Sequence, residues 1–457
     1  MTPRMTESLR LERITALSIS PDARRRSVPL AVVVQVMVLV LLTANLGRIP
    51  IVSTGGREAP LLVNDLAVLM IVTIGISAGF AARTFRVDNV TAAAALFAAI
   101  GAASAFVSAR TYGLSSLALS ISLAYLLRWV LYFGIYLTVI NVVRDSDVLA
   151  VWSAVETMLL LFGGFGIVQS AFLPGFAQMV YPDSRVYVDW DIQGHRLVST
   201  VLDPNIAGAL LLVGLLVQLA MLASGVSVRR WKPLVLFVAL VLTASRSAAL
   251  GLVAGVAVIL VARGLSKRLV RWLAAVGLLL VAAAPKLIAF GRAYGKFSLG
   301  GSAATRLITL AHAWQVFRDH SLFGIGFNTY GYVGERYGYG RLGGAAYSSD
   351  GGLLFVAVLT GVIGLAVYLL MFGFVVRRCR DIWRNASAPP AHRGIAIGTT
   401  AVIVGLCVDS IFVNSLLTTL VMELMWVLFG LTYVAFRATT PAFPAGPTRR
   451  TPVRTLA

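Results

Sequence analysis

The sequence has 457 residues, of which 58% are hydrophobic and 13% charged, and its formal net charge is +20. Soluble domains carry roughly a quarter charged residues, so this composition excludes an ordinary soluble protein. The positive charge is dispersed over short segments between apolar runs, so we expect no nucleic-acid partner. The two cysteines, Cys379 and Cys407, have no ligand spacing and indicate neither a disulfide framework nor a metal site.

Apolar runs long enough to cross a membrane recur along the whole chain, and each needs about 17 to 25 residues for a hydrocarbon core of roughly 30 Å. We therefore predict an all-α, polytopic integral membrane protein with about 12 transmembrane helices. The predicted spans are Val28–Leu46, Leu61–Ala82, Val90–Ser108, Ser115–Asn141, Val148–Leu173, Ile206–Ala223, Pro233–Ala244, Ser247–Ala262, Trp272–Ile288, Gly352–Val376, Gly394–Phe412 and Leu416–Phe436.

The distribution of arginine and lysine predicts the orientation, because cytoplasmic segments retain positive charge during insertion. We expect both termini in the cytoplasm, with a polar tail at residues 1–27 and a disordered, proline-rich tail at 438–457. The transmembrane domain then covers residues 28–437, and its large loop, about 289–351, lies outside before helix 10. Glycines inside helices, as in GLVAG and GVIG, indicate close packing of neighbouring backbones.

Three arginines occur at unusual positions in or beside the predicted spans. Arg128 lies within AYLLRWVLYFG, where a lone charge needs a partner, so either an internal salt bridge or a ligand role is open. Arg196 precedes Asp203, Pro204 and Asn205, a pattern typical of a capped helix start, which leaves the arginine itself unexplained. Arg246 lies in a very short turn between two apolar runs and suggests an anionic partner.

The longest polar interval between apolar runs extends from Gly301 to the helix that contains Gly364. It begins with an amphipathic helix whose apolar stripe is predicted to lie on the bilayer; Arg306 is outside that stripe, and we interpret His312 as an interfacial residue. A Gly-rich and Tyr-rich tract ending at Tyr347 is either a flexible loop or a set of aromatic faces for sugar rings. Asp350 then precedes a membrane helix, as its N-cap or as a chemical group.

In this order, these features resemble the O-antigen ligase and polymerase superfamily of bacterial envelope proteins. The resemblance covers roughly residues 196–370 specifically and the rest by topology. The matching residues are Arg196 before Pro204 and Asn205, the turn of Thr243, Ser245 and Arg246, Arg306 with Trp314, the Gly324 and Gly326 turn, and Asp350 before Gly361 and Gly364.

The resemblance implies a metal-independent, cofactor-free glycosyltransferase of the bacterial cytoplasmic membrane, with its active site on the outer face. Its donor would be a glycan linked to a polyprenyl pyrophosphate, its acceptor a glycan or glycolipid, and its partners the bilayer and, in such systems, a flippase and a chain-length regulator. Arg196, Arg246 and Arg306 are the candidates for binding the pyrophosphate, because planar, permanently charged guanidinium groups suit that anion.

Asp350 is the candidate catalytic base, since the ligases of the superfamily carry a histidine at the comparable place. That difference favours a polymerase of an O-antigen or exopolysaccharide over a ligase acting on a lipid A core acceptor. We assign secondary roles to Arg128, Asn205, His312 and Tyr347. A transporter or flippase of an anionic lipid or solute is the alternative from another class; Arg128 favours it, whereas the concentration of polar groups in outer loops does not.

Overall fold

The computed structural model describes residues 48–54, 57–81, 85–181, 195–266, 300–339 and 350–440, with isolated positions at 43, 44, 46, 268, 271, 275 and 277. The predicted spans Val28–Leu46 and Trp272–Ile288 lie wholly or almost wholly outside the described residues. Most of the two tails and Tyr347 lie outside them as well. The side chains of residues 306–339, which make up most of the long polar interval, are described.

The described part of the chain is helical apart from one hairpin. Its strands are β1 (Arg48–Thr54) and β2 (Arg57–Leu62). Its α-helices are α1 (Val63–Ala81), α2 (Asn89–Tyr112), α3 (Ser116–Val142), α4 (Val148–Phe172), α5 (Phe176–Val180), α6 (Pro204–Ala223), α7 (Trp231–Leu242), α8 (Arg246–Ala262), α9 (Gly300–Asp319), α10 (Tyr330–Arg336), α11 (Gly352–Arg384), α12 (Pro390–Asp409) and α13 (Thr419–Thr439).

The structure confirms the prediction of an all-α, polytopic membrane protein. Among the described residues, eight helices are long and apolar enough to cross a membrane, namely α1, α2, α3, α4, α6, α11, α12 and α13. Helices α7 and α8 are apolar but shorter, and both coincide with predicted spans. Helix α11 extends past the predicted end at Val376 and reaches Arg384. Apolar length therefore predicted these ten helices correctly, because it is a local property of the chain.

The hairpin was not predicted. Strands β1 and β2 pair antiparallel, from Thr54 opposite Arg57 to Arg48 opposite Leu62, with an irregularity between Pro50 and Val52. Strand β2 leads directly into α1. The segment has no regular alternation of apolar and polar residues, so no strand pattern was visible in the sequence.

Helices α2 and α11 run antiparallel in the interior of the bundle. The ring of Phe97 lies 5.2 Å from that of Tyr368, and seven residues later the Ser104 hydroxyl donates to the Leu359 carbonyl oxygen at 3.1 Å. The residue number therefore rises along α2 as it falls along α11. The end of α2 at Tyr112 and the start of α11 consequently lie on the same side of the bundle.

Helices α8 and α12 also run antiparallel and approach very closely. A Cβ atom on Gly251 would lie 2.6 Å from the Gly405 carbonyl oxygen, and one on Gly255 would lie 3.0 Å from the Ala401 carbonyl oxygen. The GLVAG sequence is therefore a packing surface, as predicted. The start of α8 and the end of α12 face the same side. The Gly352 N–H bonds to the Ser410 carbonyl oxygen at 2.6 Å, so α11 begins there as well. We call this end of the bundle the site face.

Helix α11 is interrupted at Gly361, which has φ 69° and ψ −175°. This interruption leaves two carbonyl groups of α11 without partners in the helix, and they accept hydrogen bonds from a segment of the long polar interval. Ile325 N–H donates to the Val358 carbonyl oxygen at 2.9 Å, and Gly326 N–H donates to the Leu359 carbonyl oxygen at 3.0 Å. A Cβ atom on Gly361 would lie 1.9 Å from the Leu322 carbonyl oxygen, so only glycine fits. Residues 321–327 therefore insert between α2 and α11, which fixes the ends of α9 and α10.

Candidate functional site

The loop that carries Arg196 is bonded to its neighbours along its backbone. Leu197 N–H donates to the Leu242 carbonyl oxygen at 3.0 Å, and the buried Gln169 side chain accepts from Val198 N–H and Ser199 N–H. Ser199 and Leu202 have positive φ angles of 48° and 60°, which are costly for residues with a Cβ atom. Such strain persists only where surrounding structure enforces it, and it concentrates at functional sites.

The Arg196 guanidinium group connects two turns of the site face. Its Nε donates to the Thr243 carbonyl oxygen at 2.9 Å, and its Nη2 lies 3.4 Å from Asn205 Oδ1. The side chain is half-buried. Thr243 belongs to the turn between α7 and α8, and Asn205 lies in the first turn of α6. The structure thus brings together three residues, Arg196, Asn205 and Thr243, that the sequence pattern names separately.

Asp203 caps α6, as predicted from the sequence. Its carboxylate accepts from Asn205 N–H at 2.7 Å and from Ile206 N–H at 3.2 Å. Burial raises the pKa of the Asp203 carboxyl group above its usual value, although the two backbone donors and the charges of Arg196 and Arg306 act in the opposite direction. Both arginines are therefore within electrostatic reach of this carboxylate, although they come from segments about a hundred residues apart.

The turn between α7 and α8 is short and strained. Ala244 has φ 51°, and Ser245 caps α8 by accepting from Ala248 N–H at 3.4 Å. Arg246 is the first residue of α8; its side chain is exposed and forms no ion pair with any residue that the structure describes. Arg246 therefore lies on the site face without direct contact to Arg196.

Helix α9 contacts Asp350 through Thr309, which lies one turn after Arg306. The Thr309 hydroxyl lies 3.0 Å from Asp350 Oδ2 and 3.0 Å from the Arg306 carbonyl oxygen. The N-cap position of α11 is Gly351, and no side chain caps that helix, so Asp350 is not the cap that the sequence also allowed. Arg306 and Asp350 are both half-buried.

Asp409, the last residue of α12, is a site residue that the sequence analysis missed. It has no exposed surface, and neither carboxylate oxygen has a donor in good geometry among the described residues. The hydroxyl groups of Ser247 and Ser415 lie beside it, and the charges of Arg306 and Asp203 act on it. The available signal was an acidic residue ending a long apolar run, which is costly in a membrane helix.

Five charged residues from four segments thus meet on the site face. We call them the arginine–aspartate cluster: Arg196, Asp203, Arg306, Asp350 and Asp409. The charge of Arg306 acts on two of the three acidic residues, Asp203 and Asp409, and the third, Asp350, bonds to Thr309, one turn after Arg306 on α9. An arrangement of half-buried guanidinium groups and nearby carboxylates can bind an anion and accept a proton at adjacent places.

The remaining predicted residues lie elsewhere. Arg128 forms an ion pair of 2.8 Å with Asp65, so the internal salt bridge is the alternative that the structure supports. The His312 ring stacks on the Tyr339 ring at 3.7 Å between centroids, and burial lowers the pKa of His312. Tyr347 is outside the described residues.

Helix α9 is confirmed. Its Thr309, Ala313 and Val316 are buried, whereas Leu307 and Trp314 of the predicted apolar stripe are exposed, at 69% and 56% of their surface. A stripe that lies on the bilayer must face away from the protein core, so this exposure agrees with the prediction.

A comparison with protein-family models shows which known family part of the chain is similar to. Residues 234–369 match the family model described as O-antigen ligase. This part, less than half of the chain, is similar to the O-antigen ligase and polymerase superfamily. The match confirms the resemblance predicted from the sequence. No curated protein matches the chain.

The O-antigen ligase match extends from α7 into α11. It includes five of the predicted site residues: Arg246, Arg306, His312, Tyr347 and Asp350. Three members of the cluster, Arg196, Asp203 and Asp409, lie outside the match, and only their positions in the structure place them in the cluster. The described part of the chain has the helices of a polytopic membrane protein, and its residues 234–369 are similar to O-antigen ligases.

Proposed function

We propose that this protein transfers a glycan from a polyprenyl-pyrophosphate donor to a hydroxyl group of an acceptor sugar, as a polymerase of an O-antigen or exopolysaccharide, at the outer face of the cytoplasmic membrane. The observation that carries the proposal is the convergence of two half-buried arginines, Arg196 and Arg306, on one group of carboxylates at the site face. The O-antigen ligase match supports the same reaction class.

The two arginines suit a leaving group whose negative charge grows as the glycosidic bond breaks. The Arg196 guanidinium is held in place by the Thr243 carbonyl oxygen, so little reorganisation is needed when an anion arrives. In the free enzyme, Asp203 and Asp409 act electrostatically on Arg306. A pyrophosphate would compete with these carboxylates for the arginine. Arg246, exposed beside them, offers a further cation at the entrance.

In this proposal Asp350 accepts the proton of the acceptor hydroxyl. The acceptor oxygen forms a bond to the anomeric carbon, the bond from that carbon to the pyrophosphate oxygen breaks, and its electron pair leaves with the pyrophosphate. The half-buried Asp350 can meet an incoming sugar, whereas the fully buried Asp409 cannot. The proton moves late, once bond formation to the anomeric carbon has made the acceptor oxygen strongly acidic.

A ligase that uses a lipid A core acceptor is the second candidate, favoured by the description of the matching family. It uses the same donor and differs in the acceptor. The transporter alternative loses its main support, because Arg128 is neutralised by Asp65 inside the bundle.

Replacing Arg306 with lysine tests the proposal, since lysine keeps the charge but lacks the two-pronged donor geometry. Purified enzyme and lipid-linked donor are incubated, and product chains are resolved on a gel. We expect turnover to fall on the order of 100-fold, as when a single charge-stabilising donor is removed. The matched control is Arg318→Lys on the same helix, where the exposed arginine is outside the cluster. Equal turnover of both variants and the wild type would remove Arg306 from the site.

A further inference from the structure

A surface pocket lies away from the arginine–aspartate cluster. It is a pocket of ≈ 320 Å³ between the turn that joins α2 to α3 and the short helix α10. Because α2 ends on the site face, the pocket opens on that face too. Its lining residues are Tyr112, Gly113, Leu114, Ser115, Ala118, Tyr332, Glu335 and Arg336.

The walls of the pocket are fixed relative to each other by Arg336. Its guanidinium group lies over the Tyr112 ring, 5.4 Å from the centroid, and donates to the Tyr112 carbonyl oxygen. Ser115 caps α3 by accepting from Ala118 N–H at 3.1 Å. Arg336, from the long polar interval, thus contacts the turn that joins α2 to α3, and hydrogen bonds within that turn already fix its backbone. The pocket is therefore largely formed before any ligand binds.

A hydrogen-bonded aromatic network supports the Tyr112 ring from below. Its hydroxyl bonds to His320 Nε2, and the Tyr337 hydroxyl donates to Asp319 Oδ2 at 3.0 Å. The rings of Tyr337 and Tyr339 stack at 5.6 Å between centroids. Burial and the neighbouring Asp319 raise the pKa of Tyr337 above its usual value. The network holds the wall of the pocket in place through the Tyr112 side chain.

The chemistry of the lining restricts the occupant. Glu335 and Arg336 are adjacent exposed residues of opposite charge, so a phosphate would be repelled by the carboxylate next to its cation. An acyl chain would displace water from the charged side chains of the lining without replacing the hydrogen bonds of that water. A sugar residue fits both constraints, because its hydroxyls bond to carboxylate and guanidinium groups while its C–H face packs on tyrosine rings.

We propose that this pocket binds a neutral sugar residue of the glycan substrate, at a distance from the bond that reacts. The proposal rests on the proposed function, which supplies the glycan. From Arg306 to Asp319, helix α9 covers about 20 Å at a rise of 1.5 Å per residue. The pocket therefore selects and retains the chain several sugar units away from the pyrophosphate, and it contributes binding energy rather than chemistry.

The test uses the full-length protein in lipid nanodiscs. The probe is the glycan that mild acid releases from the lipid-linked material accumulating in the host strain without this protein. Saturation-transfer NMR measures binding to the wild type, Glu335→Gln, Arg336→Gln and the matched control Arg318→Gln. We expect transfer to the probe with the wild type and the control. Both pocket variants should show about a tenfold loss of affinity, as expected when a hydrogen bond between the sugar and a charged group is removed.

A kinetic measurement complements the binding assay. The apparent KM for the glycan should rise about tenfold in both pocket variants while kcat stays within about twofold of the wild type, the pattern of lost ground-state binding. An absence of transfer to the wild type, or undiminished transfer to both pocket variants that fold, would overturn the proposal. The binding assay needs no turnover. Wild-type turnover of Arg306→Lys would therefore count against the proposed function alone.

Discussion

Asp65 and Asp409 are both buried carboxylates in membrane helices of this protein, at 5% and 0% exposure, yet their surroundings are opposite. Asp65 accepts from Leu62 N–H at 2.9 Å, from Arg128 at 2.8 Å and from the Tyr132 hydroxyl at 3.1 Å. Asp409 has no donor in good geometry among the described residues. The first carboxylate is saturated by the fold, and the second is not.

The difference separates a structural charge from a functional one. A buried ion pair with all its hydrogen bonds made adds little net stability, but it is costly to break. The hydroxyl groups of Ser247 and Ser415 lie beside Asp409 without forming hydrogen bonds of good geometry to it. A buried carboxylate that is bonded so weakly is costly to keep, which favours a role other than stability. We call Asp65, Arg128 and Tyr132 the Asp65 cluster.

The arginines show the same contrast. Arg128 pairs with Asp65 and lies over the Tyr125 ring, 5.1 Å from its centroid. Arg306 is near Asp203 and Asp409 but forms no ion pair within the described part of the chain. A guanidinium group that is attracted by carboxylates without being bound to them is available to a substrate anion.

The largest effect should come from Asp350→Asn in the arginine–aspartate cluster. Asparagine keeps the shape and the hydrogen bond to Thr309 but cannot accept the acceptor proton, so we expect turnover to fall about 10²- to 10⁴-fold. Donor binding and the melting temperature should stay at wild-type values. Turnover is followed with purified lipid-linked donor. An Asn variant as fast as the wild type would exclude Asp350 as the base.

In the Asp65 cluster, Arg128→Leu should act on stability alone. Removing one partner leaves Asp65 buried without its counter-charge, which costs about 3–5 kcal/mol. The melting temperature in detergent should fall clearly, while the turnover of the remaining folded enzyme is unchanged. The control is the double variant Arg128→Leu with Asp65→Leu, which should recover part of the loss. A folded Arg128→Leu protein without activity would show that this cluster belongs to the site after all.

Asp409→Asn should have the opposite effect to Arg128→Leu: turnover should fall while stability is kept. A neutral amide removes a buried, unpartnered charge, so the melting temperature should stay the same or rise, by the equivalent of about 1–3 kcal/mol. Without the carboxylate, Arg306 is held less well in position, and we expect turnover to drop about tenfold, which corresponds to about 1.4 kcal/mol. A lower melting temperature with unchanged turnover per folded molecule would make Asp409 a structural residue like Asp65.

The smallest effect should come from Arg246→Gln at the edge of the arginine–aspartate cluster. Because its side chain is exposed, solvent screens its interaction with an anion, which is then worth about 0.2–1 kcal/mol. We expect a KM for the lipid-linked donor that is severalfold higher, with kcat retained. The KM for the lipid-linked donor should also depend less on salt concentration in this variant than in the wild type. A variant that loses kcat and keeps KM would place Arg246 at the reacting bond.

The sequence by itself determined the apolar helices, the capped start of α6 and the segments that carry chemistry. These features are local: a run of apolar residues spans a membrane wherever it packs, and Asp203 caps the helix that follows it within three residues. The family resemblance depends on such ordered local patterns, and the O-antigen ligase match confirmed it over residues 234–369.

Only the tertiary structure decided which charges meet. Arg128 looked like a candidate ligand until Asp65, 63 residues away, was found beside it. Asp409 was not predicted as a site residue, because its assignment depends on the nearby charge of Arg306 and on hydroxyl groups from two other segments. The partner of a charged side chain in a helix bundle is set by helix packing between distant segments, and periodicity within one segment contains no information about that packing.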